Sequence, residues 1–308
     1  LPYVADGAKR DRLVWSGDLY FAQRSAYCAF AQPTYMRDSL KMLAFNQTPE
    51  GYVHASPYPE RGTPPPSGDF GPFPSDEFAA WLVPVAWDHL LYTGDAETLR
   101  GLWPAIARLL GYLDAHRGPN GLFVQRAETS KHAGNLNPGD LRTRAYMNIL
   151  LWGTYRDAAR IADHLGLPRE RDAAQKTAAA IKTALYALLW DEANGFFRDA
   201  IETPKFGPEA NALALSMGLV TPEQARRIAP QFKKIGHGKF QSLASRGKFE
   251  YGFGQSGLQT LFDHNWLKLL DEGWKGAWTT TECMGMITKG WGDESHPDTA
   301  IASHFSTY

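Results

Sequence analysis

Apolar residues recur at helical spacing along paired segments of this chain, and a short polar turn separates the two members of each pair. One such segment runs from Asp76 to Leu91 and is followed by the turn Tyr92-Thr93-Gly94-Asp95. In that turn Gly94 can terminate the first helix, and Asp95 can cap a second helix over Ala96 to His116. Helices joined by such short turns pack as antiparallel neighbours. The sequence therefore predicts helical hairpins.

The same pattern continues along the chain, and no alternating series of strands competes with it. Further hairpins are predicted over 140–189 and 208–232, and a further helix over 258–270. The segment from Gly51 to Pro74 is rich in proline and glycine and must form a loop. Ordered long loops inside compact domains are often functional. The fold class that follows is all-α, built from stacked hairpins.

The composition is that of an ordinary soluble globular protein. A chain of 308 residues with 44% hydrophobic residues can bury a large core, and we expect a single domain over residues 1–308. A formal net charge of −1 gives no electrostatic reason to expect nucleic acid or an anionic membrane as a partner. The best candidate for a membrane span, Trp81 to Trp87, is too short and contains Pro84.

The two cysteines and the two ends of the chain give little information on cellular location, although an extracellular one is favoured. Cys28 and Cys283 are too far apart in sequence for a disulfide framework or a zinc ribbon, and they fit buried structural thiols. No signal peptide is visible at the N-terminus. The chain opens on a loop-like Leu1-Pro2-Tyr3-Val4 and stops within an apolar segment at Tyr308, so we expect a longer parent chain. We expect neither a cofactor nor a metal.

The densest group of polar residues spans Asp6 to Asp18, with the sequence Asp-Gly-Ala-Lys-Arg-Asp-Arg-Leu-Val-Trp-Ser-Gly-Asp. Burying its three carboxylates and three cations would be costly, so composition alone favours a solvated, charge-compensated loop before a helix. The chain also has 10 Trp, which a core could absorb. Carbohydrate sites favour Trp as well, because its flat ring covers the apolar C–H face of a sugar.

Two shorter polar groups lie near the C-terminus. In Thr279-Thr280-Thr281-Glu282 the threonines could cap a helix, and Ser303-His304 follows about twenty residues later. A lone Glu near a helix start is usually a favourable partner of the helix dipole. A lone His is more often a structural residue. Neither group predicts a site by itself.

Together these segments resemble the α-L-rhamnosidases of glycoside hydrolase family 78. The catalytic domain of that family opens on Asp-x-x-x-Arg-(Glu or Asp)-Arg-Leu-x-Trp-x-Gly-Asp, which Asp6 to Asp18 matches over its whole length. The segment Thr279 to Glu282, the later Ser303-His304, and the Ala80-Trp81 helix that ends in Tyr-Thr-Gly-Asp are similar to the family too. The resemblance covers nearly the whole chain. It implies an (α/α)6 barrel, which is a toroid of helical hairpins. We expect the ends of this chain to lack part of the first or last hairpin.

The resemblance also implies roles for individual residues. The general acid of the family corresponds to Asp11 and the general base to Glu282. The positions that match contacts to the sugar are Asp6, Arg10, Trp15, Asp18, Trp81 and His304. Asp11 is a departure, because many members have the longer Glu there. The implied partner is a carbohydrate, a rhamnoside.

Two carboxylates from opposite ends of the sequence suit an inverting hydrolase built on a toroid. One must be protonated at the leaving oxygen and the other ionised, about 6.5–9.5 Å away, with a water between. The pKa of Asp11 must therefore be raised. A guanidinium of Arg10 or Arg12 directed at Asp11 would lower that pKa, so we expect both to point away from it.

Two alternatives stay open on the sequence. A polysaccharide lyase on the same scaffold would remove rhamnose from a uronic acid, with a cationic clamp drawn from Arg10, Arg12 and Arg246. An inactive carbohydrate-binding homologue is favoured only by the shortened Asp11. The aglycone, the linkage preference and the oligomeric state do not follow from the sequence.

Overall fold

The structure is a computed structural model that describes residues 3–4, 13–57, 68, 71, 73–130, 141–232 and 238–263. The α-helices in these residues are α1 Ser16–Cys28, α2 Pro33–Phe45, α3 Asp76–Thr93, α4 Ala96–Ala115, α5 Ala145–His164, α6 Pro168–Leu188, α7 Pro208–Ser216, α8 Pro222–Ile228, α9 Gly238–Glu250 and α10 Gly254–Asp263. The strands are β1 Gln125–Arg126, β2 Leu141–Arg142, β3 Trp190–Asp191, β4 Phe196–Ala200 and β5 Thr203–Phe206. None of the described helices is both long and apolar enough to cross a bilayer.

The odd-numbered helices form an inner ring. In turn, α1 packs against α3, α3 against α5, α5 against α7, and α7 against α9. The helices α2, α4, α6 and α10 each pack against the inner helix that precedes them. The burial of the helices agrees with this arrangement. The inner helix α3 is buried along most of its length, whereas the outer helix α6 buries only a narrow stripe. The predicted all-α architecture of hairpins is confirmed.

All inner helices run in the same direction, so their first turns meet at one end of the barrel. At the start of α1, the Ser16 hydroxyl donates to the carbonyl oxygen of Phe78, near the start of α3, at 2.7 Å. At the opposite end, Arg24 of α1 donates to Asp88 of α3 at 2.8 Å. We call these the N-terminal end and the C-terminal end of the barrel.

The strands form two small antiparallel sheets in the segments that precede α5 and α7. β1 pairs with β2, and β4 pairs with both β3 and β5. The first sheet explains one error of the sequence prediction, since α5 begins at Ala145 rather than near residue 140. Leu141 and Arg142 pair with the strand Gln125–Arg126 instead of starting the helix. Long-range pairing here overrides the local helical pattern.

The turn between α3 and α4 has the predicted chemistry. Gly94 adopts φ 70°, in the left-handed region, and its N–H donates to Leu90 O at 2.8 Å. The Asp95 carboxylate accepts from the Thr98 N–H at 3.0 Å and caps α4. Cys28, the last residue of α1, differs from expectation, because it is exposed rather than buried. Cys283 lies outside the described residues.

Gly247 allows α7 and α9 to pack closely, and we expect Gly247→Ala to destabilise the protein by about 1–3 kcal/mol. A methyl group there would meet the Leu215 side chain and approach the backbone nitrogen of Ser216 to 2.9 Å. Gly111 of α4 is a matched control, since it is exposed and nothing lies within 4 Å of the added carbon. Gly111→Ala should stabilise the protein by about 0.5–1 kcal/mol through helix propensity. Urea unfolding measures both, and equal effects would contradict close packing at Gly247.

Candidate active site

The second half of the charged motif docks against the start of α3. Trp15 is 6% exposed, and its ring centroid lies 4.9 Å from that of Phe73 and 5.6 Å from that of Phe78. The Ser16 N–H donates to Ala55 O at 3.0 Å, which ties the motif to the loop before α3. A Cβ at Gly17 would approach the Phe78 ring to 2.9 Å, so a larger residue there would displace that ring. The Trp-Ser-Gly part of the motif therefore fixes α1 against α3.

Carboxylates gather at the N-terminal end of the barrel. Asp18 lies in the first turn of α1, Asp76 and Glu77 in that of α3, and Glu209 in that of α7. The first turn of a helix carries partial positive charge from its unpaired N–H groups, and this charge stabilises ionised carboxylates. Parallel inner helices concentrate this effect at one end. The result suits a ligand that presents hydroxyl donors.

Glu77 and Tyr146 form a buried hydrogen-bonded pair between α3 and α5. The Tyr146 hydroxyl donates to Glu77 Oε1 at 2.7 Å, and Glu77 is 2% exposed. Burial raises the pKa of Tyr146 well above its ordinary value, and the nearby Glu77 carboxylate raises it further. Tyr146 therefore remains a protonated donor. Phe240, near the start of α9, packs edge-on against the Tyr146 ring at 5.6 Å.

Trp81 lies one helical turn further into the barrel than Glu77. The two residues are four positions apart on α3, a spacing that places them on the same face of the helix. Trp81 is fully buried, and its ring centroid lies 4.3 Å from that of Tyr20 on α1. An aromatic layer therefore lies beneath the carboxylates.

Asp76, the neighbour of Glu77, has a different environment. Its carboxylate is fully buried, accepts from the Tyr112 hydroxyl at 2.8 Å and from the Thr129 hydroxyl, and lies 3.8 Å from Arg126. Burial raises the pKa of Asp76, while these hydrogen bonds and Arg126 oppose the rise. These contacts join α3 to α4, to β1 and to the segment that follows β1. Asp76 is thus a structural carboxylate.

The structure describes part of the predicted site. Trp15 and Asp18 lie at the N-terminal end of the barrel, just before and within the first turn of α1. Trp81 belongs to the main core, whereas Trp15 belongs to a smaller apolar cluster with Ala55 and Phe78. The other predicted site residues, Asp6, Arg10, Asp11, Glu282 and His304, fall outside the described residues. Their roles, and the separation of Asp11 from Glu282, stay predictions.

Sequence reasoning missed Glu77 and Tyr146. A carboxylate in the first turn of a helix is usually only a dipole partner, which hides Glu77. Its spacing of four residues from Trp81 was the available signal. Nothing local marks Tyr146, whose partner is 69 residues away in sequence.

Comparison with protein families identifies this arrangement. The model of the bacterial α-L-rhamnosidase six-hairpin glycosidase domain matches residues 1–242. The chain belongs to this family. The match confirms the family predicted from the motif and, with it, the six-hairpin barrel. A search of curated protein sequences finds no match.

Solved structures share the fold of this rhamnosidase-family domain at low sequence identity. A rhamnosidase from Klebsiella oxytoca with rhamnose bound has a TM-score of 0.80 and 18% identity, over 99% of this chain and 58% of that one. A GH78 family rhamnosidase of a Bacillus species has a TM-score of 0.75 and 16% identity, over 96% of this chain and 31% of that one. A GH63 mannosylglycerate hydrolase from Thermus thermophilus has a TM-score of 0.66 and 15% identity, over 96% of this chain and 93% of that one. These likenesses show the fold, and the chain spans only part of the two rhamnosidases.

Proposed function

We propose that this chain is an inverting glycoside hydrolase that releases terminal α-L-rhamnose from glycosides or polysaccharides. The observation that carries the proposal is the motif Asp6 to Asp18. Its described half docks at the barrel end where Asp18, Glu77 and Tyr146 gather. Membership of a family of α-L-rhamnosidase domains supports the substrate class. The rhamnose bound to a protein of the same fold supports a carbohydrate partner.

In this proposal the two carboxylates have distinct roles. Asp11 protonates the oxygen of the leaving group, and Glu282 removes a proton from the attacking water on the opposite face of the sugar. Asp6, Arg10, Asp18 and His304 bind the sugar hydroxyls. The glycosidic bond breaks as the new bond from water forms, which inverts the configuration at the anomeric carbon.

The described residues suit a 6-deoxy sugar. Rhamnose presents a methyl group and three hydroxyls, so its site must combine apolar walls with hydrogen-bonding groups. We assign Trp15 to a wall, and the fully buried Trp81 to the aromatic layer that supports the site from beneath. Glu77 joins the acceptors, because it lies in the first turn of α3 at the same end of the barrel as Asp18, and the Tyr146 hydroxyl orients its carboxylate.

A direct assay tests the substrate class. We expect hydrolysis of a nitrophenyl α-L-rhamnoside with kcat/KM at least about 10²-fold above that for the α-L-fucoside and the β-D-glucuronide, because unmatched hydroxyls leave buried polar groups unpaired. Proton NMR of the first product should show the β anomer. Equal rates on all three sugars would contradict the proposed specificity, and binding of rhamnose without hydrolysis would indicate the inactive homologue.

The same assay separates hydrolysis from lyase chemistry. β-Elimination would leave a 4,5-unsaturated uronate, which absorbs in the ultraviolet, whereas hydrolysis produces no such absorbance. Arg246, one candidate for the uronate clamp, lies near the C-terminal end of α9 and donates to the Tyr20 hydroxyl at 2.7 Å. Its position argues against a clamp beside Trp15 and Glu77.

A further inference from the structure

A cavity of about 540 Å³ opens at the C-terminal end of the barrel. Its size is within the range of small-molecule sites, roughly 300–1,000 Å³. All five described inner helices contribute to its wall. The polar and aromatic residues that matter most are Arg24, Trp87, Arg156, Arg160, Ser216 and Arg246. None of the described residues of the proposed rhamnoside site lines it.

Two of the guanidinium groups share one carboxylate. Arg156 donates to Asp157 twice, from Nε to Oδ1 at 2.9 Å and from Nη2 to Oδ2 at 3.1 Å. Arg160 donates to the same Oδ1 at 3.0 Å and lies over the ring of Trp87, 5.4 Å from its centroid. Asp157 is 2% exposed, so this pair of arginines is held by a buried partner. Both cations are therefore positioned before any ligand arrives.

Two more arginines line the cavity and are held by buried partners. Arg24 donates to Asp88 at 2.8 Å, and Arg246 donates to the Tyr20 hydroxyl at 2.7 Å. The remaining carboxylate of the wall is Glu250, which is exposed and 3.7 Å from Arg246. The described wall therefore holds four guanidinium groups and three carboxylates, so it is rich in charged hydrogen-bond donors.

Ser216 provides an independent observation. It lines the cavity at the last position of α7 and is 5% exposed. Among the described residues, its hydroxyl has no hydrogen-bond partner. Buried hydroxyls in folded proteins are nearly always hydrogen-bonded, so this one points to a group that the protein does not supply. The Arg156 guanidinium is close by, since it donates to the carbonyl oxygen of the next residue, Met217.

The helix ends themselves explain part of this cluster. The last turns of α5, α7 and α9 carry partial negative charge on their carbonyls, which attracts arginines and opposes an anion. Neutralising those carbonyls, however, requires neither an open cavity nor a buried hydroxyl without a partner.

We propose that the cavity binds a small organic anion, with a carboxylate or phosphate group on Arg160, Arg246 and Ser216. Trp87 and Tyr92 would then cover the body of the ligand. This inference does not depend on the proposed rhamnosidase activity.

Calorimetric titration of the full chain with matched probes tests the proposal. D-Glucuronate and D-glucose differ in the carboxylate, and inorganic phosphate separates a general oxyanion site from one that needs an organic body. We expect glucuronate to bind at least about tenfold more tightly than glucose, with affinity falling as salt is added. Tighter binding of phosphate than of glucuronate would identify phosphate as the preferred group. Saturating L-rhamnose should not compete.

Two variants and one control locate the site. Arg160→Gln should weaken glucuronate binding about tenfold, because it removes a charge-assisted donor. Ser216→Ala should weaken it several-fold without loss of stability, since the hydroxyl has no described partner to lose. Arg171→Gln on α6 removes a comparable ion-paired arginine away from the cavity and should change nothing. The proposal is overturned if neither anion binds at millimolar concentration, if L-rhamnose competes, or if Arg160→Gln binds like the unmodified chain.

Discussion

Replacing Glu282 by Gln is expected to abolish hydrolysis of every α-L-rhamnoside, because attack by water requires a base whatever group leaves. General acid–base groups contribute about 10²–10⁴-fold, and we expect a loss in kcat of at least this size. Asp11→Asn should lose a similar factor on rhamnosides whose leaving group is a sugar. It should lose far less on nitrophenyl rhamnosides, since nitrophenolate departs without protonation. Measuring kcat for each variant on both substrates gives the comparison.

Controls separate catalysis from folding. Glu170→Gln removes an exposed carboxylate in the first turn of α6 and should leave both rates unchanged. Azide should partly restore turnover of Glu282→Ala, with an azide product of inverted configuration. If Asp11→Asn and Glu282→Gln respond identically to the leaving group, the assignment of acid and base is wrong, and Asp18 or Asp6 becomes the candidate acid. A first product of retained configuration would indicate that an enzyme nucleophile, and not water, attacks the anomeric carbon first.

The parts of the fold that sequence predicts well are set by local chemistry. The turn at Gly94 and Asp95 is an example, because a left-handed glycine and a capping carboxylate act on residues within a few positions of them. The predicted start of α5 was wrong because it depends on a long-range contact. Its boundary depends on pairing with Gln125–Arg126, a contact that no local pattern encodes.

The inner helix α1 shows why its bounds are hard to predict. Tyr20, Gln23 and Arg24 occupy one face at helical spacing and are polar, yet Tyr20 and Gln23 are buried. They are tolerated because the lumen supplies partners, such as Asp88 for both Gln23 and Arg24. A helix that faces a polar lumen lacks the apolar stripe on which prediction relies.

The candidate site also contains a part that local sequence predicts and a part that depends on long-range contacts. The motif Asp6 to Asp18 is contiguous, so its thirteen positions could be recognised from sequence. Glu77 meets Tyr146 only because two inner helices lie side by side. The arginines of the C-terminal cavity come from α1, α5 and α9, and only the packing of the inner helices brings them together.

Adjacent carboxylates at the start of α3 should respond to substitution in opposite ways. Asp76→Ala removes the acceptor of two hydroxyls and the partner of Arg126, all in a buried setting. We expect it to lower the free energy of unfolding by about 3–5 kcal/mol. Because burial raises the pKa of Asp76 and so disfavours its charged form, Asp76→Asn, which keeps one acceptor oxygen without charge, should cost less.

Glu77→Gln should instead preserve stability and lose activity. The amide oxygen can still accept from Tyr146, so we expect a change of less than about 1 kcal/mol in urea unfolding. The carboxylate charge that we assign to a sugar hydroxyl is lost, and kcat/KM for the rhamnoside should fall about tenfold or more. A double-mutant cycle of Asp76→Ala with Tyr112→Phe provides the stability control, because removal of the Tyr112 hydroxyl should cost less once its acceptor is gone. If Glu77→Gln proves the more destabilising change and Asp76→Ala the more inactivating one per folded molecule, the structural and functional roles of the two carboxylates must be exchanged.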